Sequence, residues 1–212
     1  AVGYVAGKAA TSGIRNNFFG AESGEALTTG DDNIAIGYQT LTSETAGNRT
    51  VAIGNNALDA QNSSTDTNIY NVGVGYAAGG AITTGANNVL LGALAGDALT
   101  DADANVAIGK SALSADTLGS KSIAIGLGAL QSQNFSTATD SFNTAVGHGV
   151  GASITTGQQN TLIGAEAGDA MTDALLNVAV GYQALSGETS GRKSIGIGYG
   201  ALLAQNVTTN SD

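Results

Sequence analysis

The chain has 212 residues, 32 glycines, no proline, no cysteine and a formal net charge of −10. The absence of cysteine excludes disulfides and cysteine-bound metals, and the acidic balance argues against binding to nucleic acid or to an anionic membrane surface. No apolar run reaches the roughly 18 residues that a membrane-spanning helix needs.

A five-residue motif recurs from one end of the chain to the other, as at Asn105–Gly109 and Asn177–Gly181. Its glycine returns at one constant spacing three times in a row, and the fourth spacing is longer by four positions. A fixed period of this kind is typical of a stacked repeat protein. At the motif glycines we expect a bend or bulge that other residues would resist. They are Gly3, Gly20, Gly37, Gly54, Gly75, Gly92, Gly109, Gly126, Gly147, Gly164, Gly181 and Gly198.

A longer period combines three short spacings with one long spacing, so that Gly3, Gly75 and Gly147 are equivalent. The chain therefore reads as a single repeat array of three super-repeats, at 1–70, 71–142 and 143–212. We name the four coils of each super-repeat A, B, C and D in chain order, and number positions in a coil from its motif glycine. The array begins and stops inside a repeat, so we expect it to be a fragment of a longer fibre.

Positions −3 and −1 are apolar in nearly every coil, whereas position −2 is small except in the B coils, where it is Phe18, Leu90 or Leu162. This alternation predicts a short parallel strand in each coil. We expect −3 and −1 to form the core and −2 to face the opposite side. The small residues at −2 and +3 then predict close approach of further copies of the chain. The predicted core residues are Ile34, Ile36, Val51, Ile53, Val72, Val74, Val106, Ile108, Ile123, Ile125, Val178, Val180, Ile195 and Ile197.

Other columns of the repeat define its remaining parts. Position +4 is glycine in the A and B coils and leucine in the C and D coils. Segments such as Ile82-Thr83-Thr84-Gly85 predict a second short strand closed by a turn. Asparagine at −4, as at Asn33, predicts a column of amides that hydrogen-bond from coil to coil. The longer D coils predict loops on one face, at 59–66, 131–140 and 203–212.

The segment Asn177-Val178-Ala179-Val180-Gly181-Tyr182-Gln183-Ala184-Leu185 resembles the head repeats of trimeric autotransporter adhesins and the shaft repeats of phage tail fibres. The resemblance extends over the whole chain. It implies an all-β, left-handed parallel β-roll, or β-solenoid, of about twelve coils in a homotrimer with intertwined or side-by-side chains. It also implies a structural fibre segment at a cell surface or on a virion, which provides rigid reach and display for attachment. Bacterial and phage origin both stay open, and the longer D coils and the four-coil super-repeat depart from the family pattern.

A binding module is the alternative to a purely structural role. The D-coil loops or the tyrosines at position +1 would contact a host-surface glycan or protein, because an aromatic face with a polar tip suits sugar binding. The same tyrosines would otherwise cover the coil edge. They are Tyr4, Tyr38, Tyr76, Tyr182 and Tyr199.

We expect no enzymatic activity and no cofactor. The fragment Ile-Gly-x-x-Ala resembles the hexapeptide repeat of β-helix acyltransferases, but only one such hexad occurs per coil. The single histidine, His148, lies in the +1 column without a recognisable triad. Threonine pairs such as Thr83-Thr84 resemble ice-binding solenoids, although they occur in alternating coil types.

Charged residues recur at particular positions of the B and D coils. The B coils are rich in acids such as Asp97, Asp101 and Asp169, which leaves Ca²⁺ binding open although no calcium-loop motif is present. A basic residue recurs at −5 of each D coil, at Arg49, Lys121 and Lys193. We expect these cations to pair with acids of neighbouring coils or chains.

Overall fold

A computed structural model describes residues 1–206, which form a parallel β-solenoid of about 11 coils without α-helix. The predicted all-β class and parallel stacking are confirmed. The predicted third D loop lies partly outside the described residues, from 207 to 212. The strands are β1 (Asn17–Phe19), β2 (Ile34–Ile36), β3 (Gly47–Asn48), β4 (Val51–Ile53), β5 (Thr67–Asn68), β6 (Val72–Val74), β7 (Val89–Leu91), β8 (Val106–Ile108), β9 (Gly119–Ser120), β10 (Ile123–Ile125), β11 (Thr139–Asp140), β12 (Thr144–Val146), β13 (Thr161–Ile163), β14 (Val178–Val180) and β15 (Ile195–Ile197).

One three-residue strand from each coil joins a continuous main sheet of 11 parallel strands, in the order β1-β2-β4-β6-β7-β8-β10-β12-β13-β14-β15. Equivalent positions pair with each other, so that Ala35 of β2 stands beside Ala52 of β4. The register is kept across the longer D coil, where Ala52 pairs with Gly73 of β6. The extra residues of a D coil are therefore accommodated outside the main sheet.

The alternation predicted for these strands is present, but its orientation is the reverse of the prediction. Position −2 points into the solenoid, where Ala52 and Leu90 have no exposed surface, whereas Ile36 is 39% and Ile197 is 69% exposed. The residues wrongly predicted to form the core of the coil, none of which is buried, are Ile34, Ile36, Val51, Ile53, Val72, Val74, Val106, Ile108, Ile123, Ile125, Val178, Val180, Ile195 and Ile197. A three-residue strand offers one side chain to one face and two to the other, and the narrow coil accepts only the single one.

The core fills its narrow interior by setting large side chains against small ones. A Cβ atom on Gly79 or Gly96, both at position +4, would lie 2.6 Å or 2.8 Å from a methyl group of Leu90. Where Leu58 occupies position +4 instead, the neighbouring −2 residue is Gly73, and a Cβ there would lie 2.7 Å from the Leu58 Cγ. Position +3 is buried in the same core. The small −2 and +3 residues therefore pack within one chain, and their predicted contact with other chains is wrong.

The corners of each coil are left-handed turns at positions −5, +2 and +4. Leucine takes this conformation at +4 of the C and D coils, with φ of 50° at Leu58 and 55° at Leu113. The left-handed region costs a non-glycine residue about 1–2 kcal/mol, which the complete burial of both leucines offsets. The motif glycines from Gly3 to Gly181 have no alternative, because a Cβ at any of them would lie 2.1–2.8 Å from the backbone of the next coil.

The predicted second strand of each coil is wrong for Ile82-Thr83-Thr84-Gly85, which forms a bend at Thr83 and Thr84. Backbone hydrogen bonds nevertheless connect the coils there, since the Thr83 amide donates to the Thr100 carbonyl at 3.0 Å. Within residues 1–206, additional strands occur only where C and D coils meet, as the parallel pairs β3–β5 and β9–β11. No helix in this described part of the chain is long and apolar enough to cross a membrane.

Candidate functional site

The asparagine column at −4 is the polar spine of the solenoid. The buried Asn33 donates from Nδ2 to the Gly47 carbonyl at 2.9 Å, and its Oδ1 accepts the Thr50 amide of the next coil at 2.9 Å. Direct amide contacts also occur, for example from Asn88 Nδ2 to Asn71 Oδ1 at 3.3 Å. The predicted hydrogen-bonded column is therefore present, with most of its bonds made to the backbone of the neighbouring coil.

In the D coils, where threonine or serine replaces asparagine, a glutamine side chain continues the hydrogen-bonded column. Gln61 Nε2 donates to the Thr50 hydroxyl at 3.0 Å, and Gln61 Oε1 accepts from Asn71 Nδ2 at 3.0 Å. Gln133 makes the same connection between Ser122 and Asn143 in the second super-repeat. The side chain thus bridges the gap that the longer coil opens.

A buried carboxylate stands at position +7 of each C coil, where the A and B coils place an apolar residue. Glu44, Asp116 and Glu188 have no exposed surface. Each accepts backbone N–H groups of its own turn, such as Gly47, Gly119 and Gly191 at 2.7–2.9 Å. Our sequence analysis missed these acids. The available signal was the recurrence, in the C coil of every super-repeat, of an acid followed by threonine, any residue and glycine.

The same carboxylates anchor the D loops. The Ser63 amide donates to Glu44 Oε1 at 3.0 Å, and the Phe135 amide donates to Asp116 Oδ1 at 3.2 Å. Because each loop is attached to a buried acid of the preceding coil, its exposed residues are held in a defined conformation. The predicted loops of the first two D coils are therefore ordered surface features.

The outward side of the main sheet is a continuous surface that runs along the described chain. Positions −3 and −1 form what we call the apolar stripe, interrupted only by Asn17, Thr144 and Thr161 and free of charged residues. Its side chains are partly exposed, with Leu91 at 43%. Eleven strands at about 4.8 Å spacing give a stripe roughly 50 Å long and 10 Å wide. About 500 Å² of contiguous apolar surface is in the range where exposed patches are often functional.

The tyrosine column lies at +1, two residues beyond the −1 side of the apolar stripe. All five predicted tyrosines are exposed, namely Tyr4, Tyr38, Tyr76, Tyr182 and Tyr199. The rings of Tyr182 and Tyr199 stack with centroids 5.6 Å apart. The negative charge of Glu166 raises the pKa of Tyr182. These rings are accessible to a ligand or to another chain.

Within residues 1–206, His148 and the acids of the B coils show no arrangement that identifies a metal site. His148 is exposed in the +1 column and takes part in none of the ion pairs of this region. No three acids or histidines of these residues gather around a point that could hold a metal ion. The acids instead hold neighbouring coils together, as where Asp103 accepts the Ala86 amide at 2.7 Å.

The environments of these acids move their pKa values in opposite directions. Hydrogen bonds from the Thr83 and Thr84 hydroxyls lower the pKa of Asp101. Partial burial raises the pKa of Asp97 and of Asp169, each of which has one carboxyl oxygen without a hydrogen-bond partner. These two groups occupy equivalent positions in the second and third super-repeats, whereas the first has Glu25, which pairs with Lys8.

Two cations at −5 of the D coils pair as predicted with groups of adjacent coils. Arg49 lies 3.9 Å from an oxygen of Asp32, and its guanidinium donates to the Tyr70 hydroxyl at 2.9 Å. Lys121 lies 2.5 Å from Asp140 and 5.4 Å from the centre of the Phe142 ring. In the first two super-repeats, the cation at −5 of the D coil therefore lies beside the aromatic ring at the end of the D loop.

Comparison of the chain with models of known protein families, with curated proteins and with solved structures found no significant match. The fold and its surfaces define the chain as a parallel β-solenoid.

Proposed function

We propose that this chain is a structural segment of an extracellular fibre, either a bacterial surface adhesin or a phage tail fibre, in which three copies associate about a common axis. The apolar stripe of each copy faces that axis. The fibre gives rigid reach and displays the D loops at the outer surface. The repeat motif, which resembles those of both kinds of fibre, supports this proposal together with the stripe.

The observation that carries the proposal is the uncharged, partly exposed stripe on a chain of net charge −10. Association of three stripes removes apolar surface from water while the acidic residues remain on the outside. About 500 Å² per copy is modest beside the roughly 800 Å² that each partner contributes to a standard interface. The adjoining tyrosine column supplies additional apolar area.

The stiffness that such a fibre needs follows from the hydrogen-bonded columns. The main sheet and the asparagine column connect each coil to the next along the whole described solenoid. Bending the rod would stretch these bonds on one side. With strands about 4.8 Å apart, one super-repeat of four coils advances the fibre by about 19 Å.

The oligomeric mass in native buffer tests the proposal. We expect light scattering to give three times the mass of one chain. Ile108→Lys places a charge in the middle of the stripe and should yield folded monomers, because a buried unpaired ammonium group is costly. Gln159→Lys introduces the same charge at an exposed corner and should remain trimeric. A monodisperse, folded wild-type monomer would contradict the proposal.

The exposed tyrosine column favours a second candidate function, the binding of a host-surface glycan. The stacked pair Tyr182 and Tyr199 offers the broadest aromatic face. We expect the wild-type protein to bind on a glycan array. Loss of this binding in the double variant Tyr182→Ala/Tyr199→Ala, with its oligomeric state unchanged, would support this candidate. Unchanged binding in that variant would count against it.

A further inference from the structure

A cleft of about 250 Å³ opens between the first D loop and the following A coil. Its floor is formed by the buried Ile69 and Ser63 and the half-buried Ala86. Its rim is formed by exposed hydroxyl and amide side chains, which are Asn62, Ser64, Thr65, Thr67 and Thr84. No charged residue lines the cleft. Such a lining suits a neutral ligand with many hydroxyl groups and one apolar face.

Hydrogen bonds within the protein determine what two of the rim groups, Thr84 and Asn62, can offer to a ligand. The Thr84 hydroxyl donates to Asp101 at 2.7 Å, so it remains free to accept. Asn62 Oδ1 accepts a hydrogen bond from the Thr45 hydroxyl at 3.0 Å, so the two N–H groups of the Asn62 amide remain free to donate. The cleft thus presents acceptors and donors side by side, as the alternating hydroxyl groups of a sugar require.

The rim recurs in the second super-repeat while the floor does not. The equivalents of the five rim residues are identical in type, namely Asn134, Ser136, Thr137, Thr139 and Thr156. On the floor, Ser63 is replaced by Phe135, Ile69 by Ser141 and Ala86 by Gln158. Other exposed loop residues also differ, since Asp66 is replaced by Ala138. The polar rim is thus the part of the loop that both super-repeats retain.

We propose that the first loop cleft binds one neutral sugar residue, with the sugar hydroxyls on the rim and a C–H face of the ring against Ile69. The volume is below the roughly 300–1,000 Å³ of pockets for drug-sized ligands, so the occupant is a single ring. The second loop presents the same rim but places Ser141 where the first loop has Ile69, so it lacks this apolar contact for the ring and binds the sugar more weakly. This proposal goes beyond the structural role and does not depend on the trimer, because one chain forms the cleft and the apolar stripe lies on another sheet.

Amide chemical shifts of the ¹⁵N-labelled chain test the proposal, with methyl glycosides of glucose, galactose, mannose and N-acetylglucosamine as probes. A ligand of this size predicts a Kd on the order of 1 mM. We expect at least one probe to shift amides of residues 62–69 and 84–86. Charged N-acetylneuraminic acid should shift them at least about tenfold less at equal concentration.

Two variants separate binding from folding. Ser64→Trp fills the cleft from an exposed loop position and should abolish the shifts, whereas Ser136→Trp makes the same change in the second loop and should leave them intact. Thr84→Val keeps the shape, removes one acceptor and should weaken binding about tenfold. Absence of shifts in residues 62–69 with every neutral probe would overturn the proposal. Shifts that persist in Ser64→Trp would do the same, whatever the mass of the particle.

Discussion

The structure places the first and second D loops at residues 61–70 and 133–142, slightly later than the predicted 59–66 and 131–140, and the two loops meet one structural requirement with different residues. Each is paired through a two-residue parallel sheet, β3–β5 or β9–β11, and each is attached to a buried acid. The first loop uses Glu44 with Ser63, and the second uses Asp116 with Phe135. The first loop combines the longer acid with a small loop residue, and the second combines the shorter acid with a large one.

The longer acid, Glu44, accepts more hydrogen bonds than Asp116 does. Glu44 Oε1 accepts the amides of Thr45, Ala46, Gly47 and Ser63 at 2.7–3.1 Å, and its other oxygen accepts Gln61 at 2.9 Å. A carboxylate that is satisfied in this way tolerates burial without a cation, because each N–H group stabilises its charge.

The shorter acid leaves space that an aromatic ring occupies. Asp116 accepts the amides of Gly119 and Phe135 at 2.9 Å and 3.2 Å and the Gln133 side chain at 2.6 Å. Phe135 is only 4% exposed, and its Cδ2 would lie 2.7 Å from a Cβ on Gly119. The second loop therefore exchanges hydrogen bonds for apolar burial, which indicates that acid and loop residue form one unit.

Removal of the buried acid should have the largest effect, and a larger one in the first loop than in the second. Glu44→Ala leaves five N–H donors without their acceptor and should cost about 3–5 kcal/mol, whereas Asp116→Ala leaves three and should cost about 2–4 kcal/mol. Guanidinium unfolding measures both losses.

Glu25→Ala is the control for a surface acid, since Glu25 forms only a partly exposed ion pair with Lys8, and should cost less than about 1 kcal/mol. A loss in Glu44→Ala no greater than that of the control would show that the buried network contributes little to stability.

Placing the first loop's residue types in the second loop should show that the acid and the loop residue are energetically coupled. Asp116→Glu inserts a methylene group against Phe135 and should cost about 1–3 kcal/mol. Phe135→Ser leaves a cavity and should cost about 3–5 kcal/mol. The double variant recreates the first loop, so its loss should be smaller than the sum by at least about 1 kcal/mol. Additive losses in this double-mutant cycle would mean that the acid and the ring act independently.

The two nested periods and the asparagine column could be predicted from the sequence, because stacked columns repeat residue types. The orientation of the strands could not, since Val51, Ala52 and Ile53 are all apolar and alternation does not tell which face is enclosed. The left-handed corners at +4 determine which face of the strand is enclosed, because they turn Leu58 and its equivalents inward.

The buried acids were missed for a different reason. An isolated Glu44 in the sequence indicates a solvated residue, and only its recurrence at a position otherwise held by Ile82, Leu99 or Ile154 indicates burial. The loop cleft was beyond prediction, because its floor and rim come from two coils whose spacing depends on how the extra residues fold. For the same reason, the D loops could be predicted as loops but not as anchored ones.

The surface cations of the two loops should give the smallest effect, and salt should distinguish them. Arg49→Met and Lys121→Met should each cost less than about 1 kcal/mol, because exposed ion pairs and cation–aromatic contacts are weak. Lys121 acts through an ion pair with Asp140 in which both side chains are nearly half exposed. In about 1 M NaCl, where the Debye length is about 3 Å, the ion-pair part of its loss should vanish, which leaves only the contact with the Phe142 ring. Arg49 also donates to the neutral Tyr70 hydroxyl, so part of its loss should persist. Melting temperatures at low and high salt measure this difference. An equal response of both variants to salt would contradict the prediction that the Tyr70 hydrogen bond distinguishes Arg49 from Lys121.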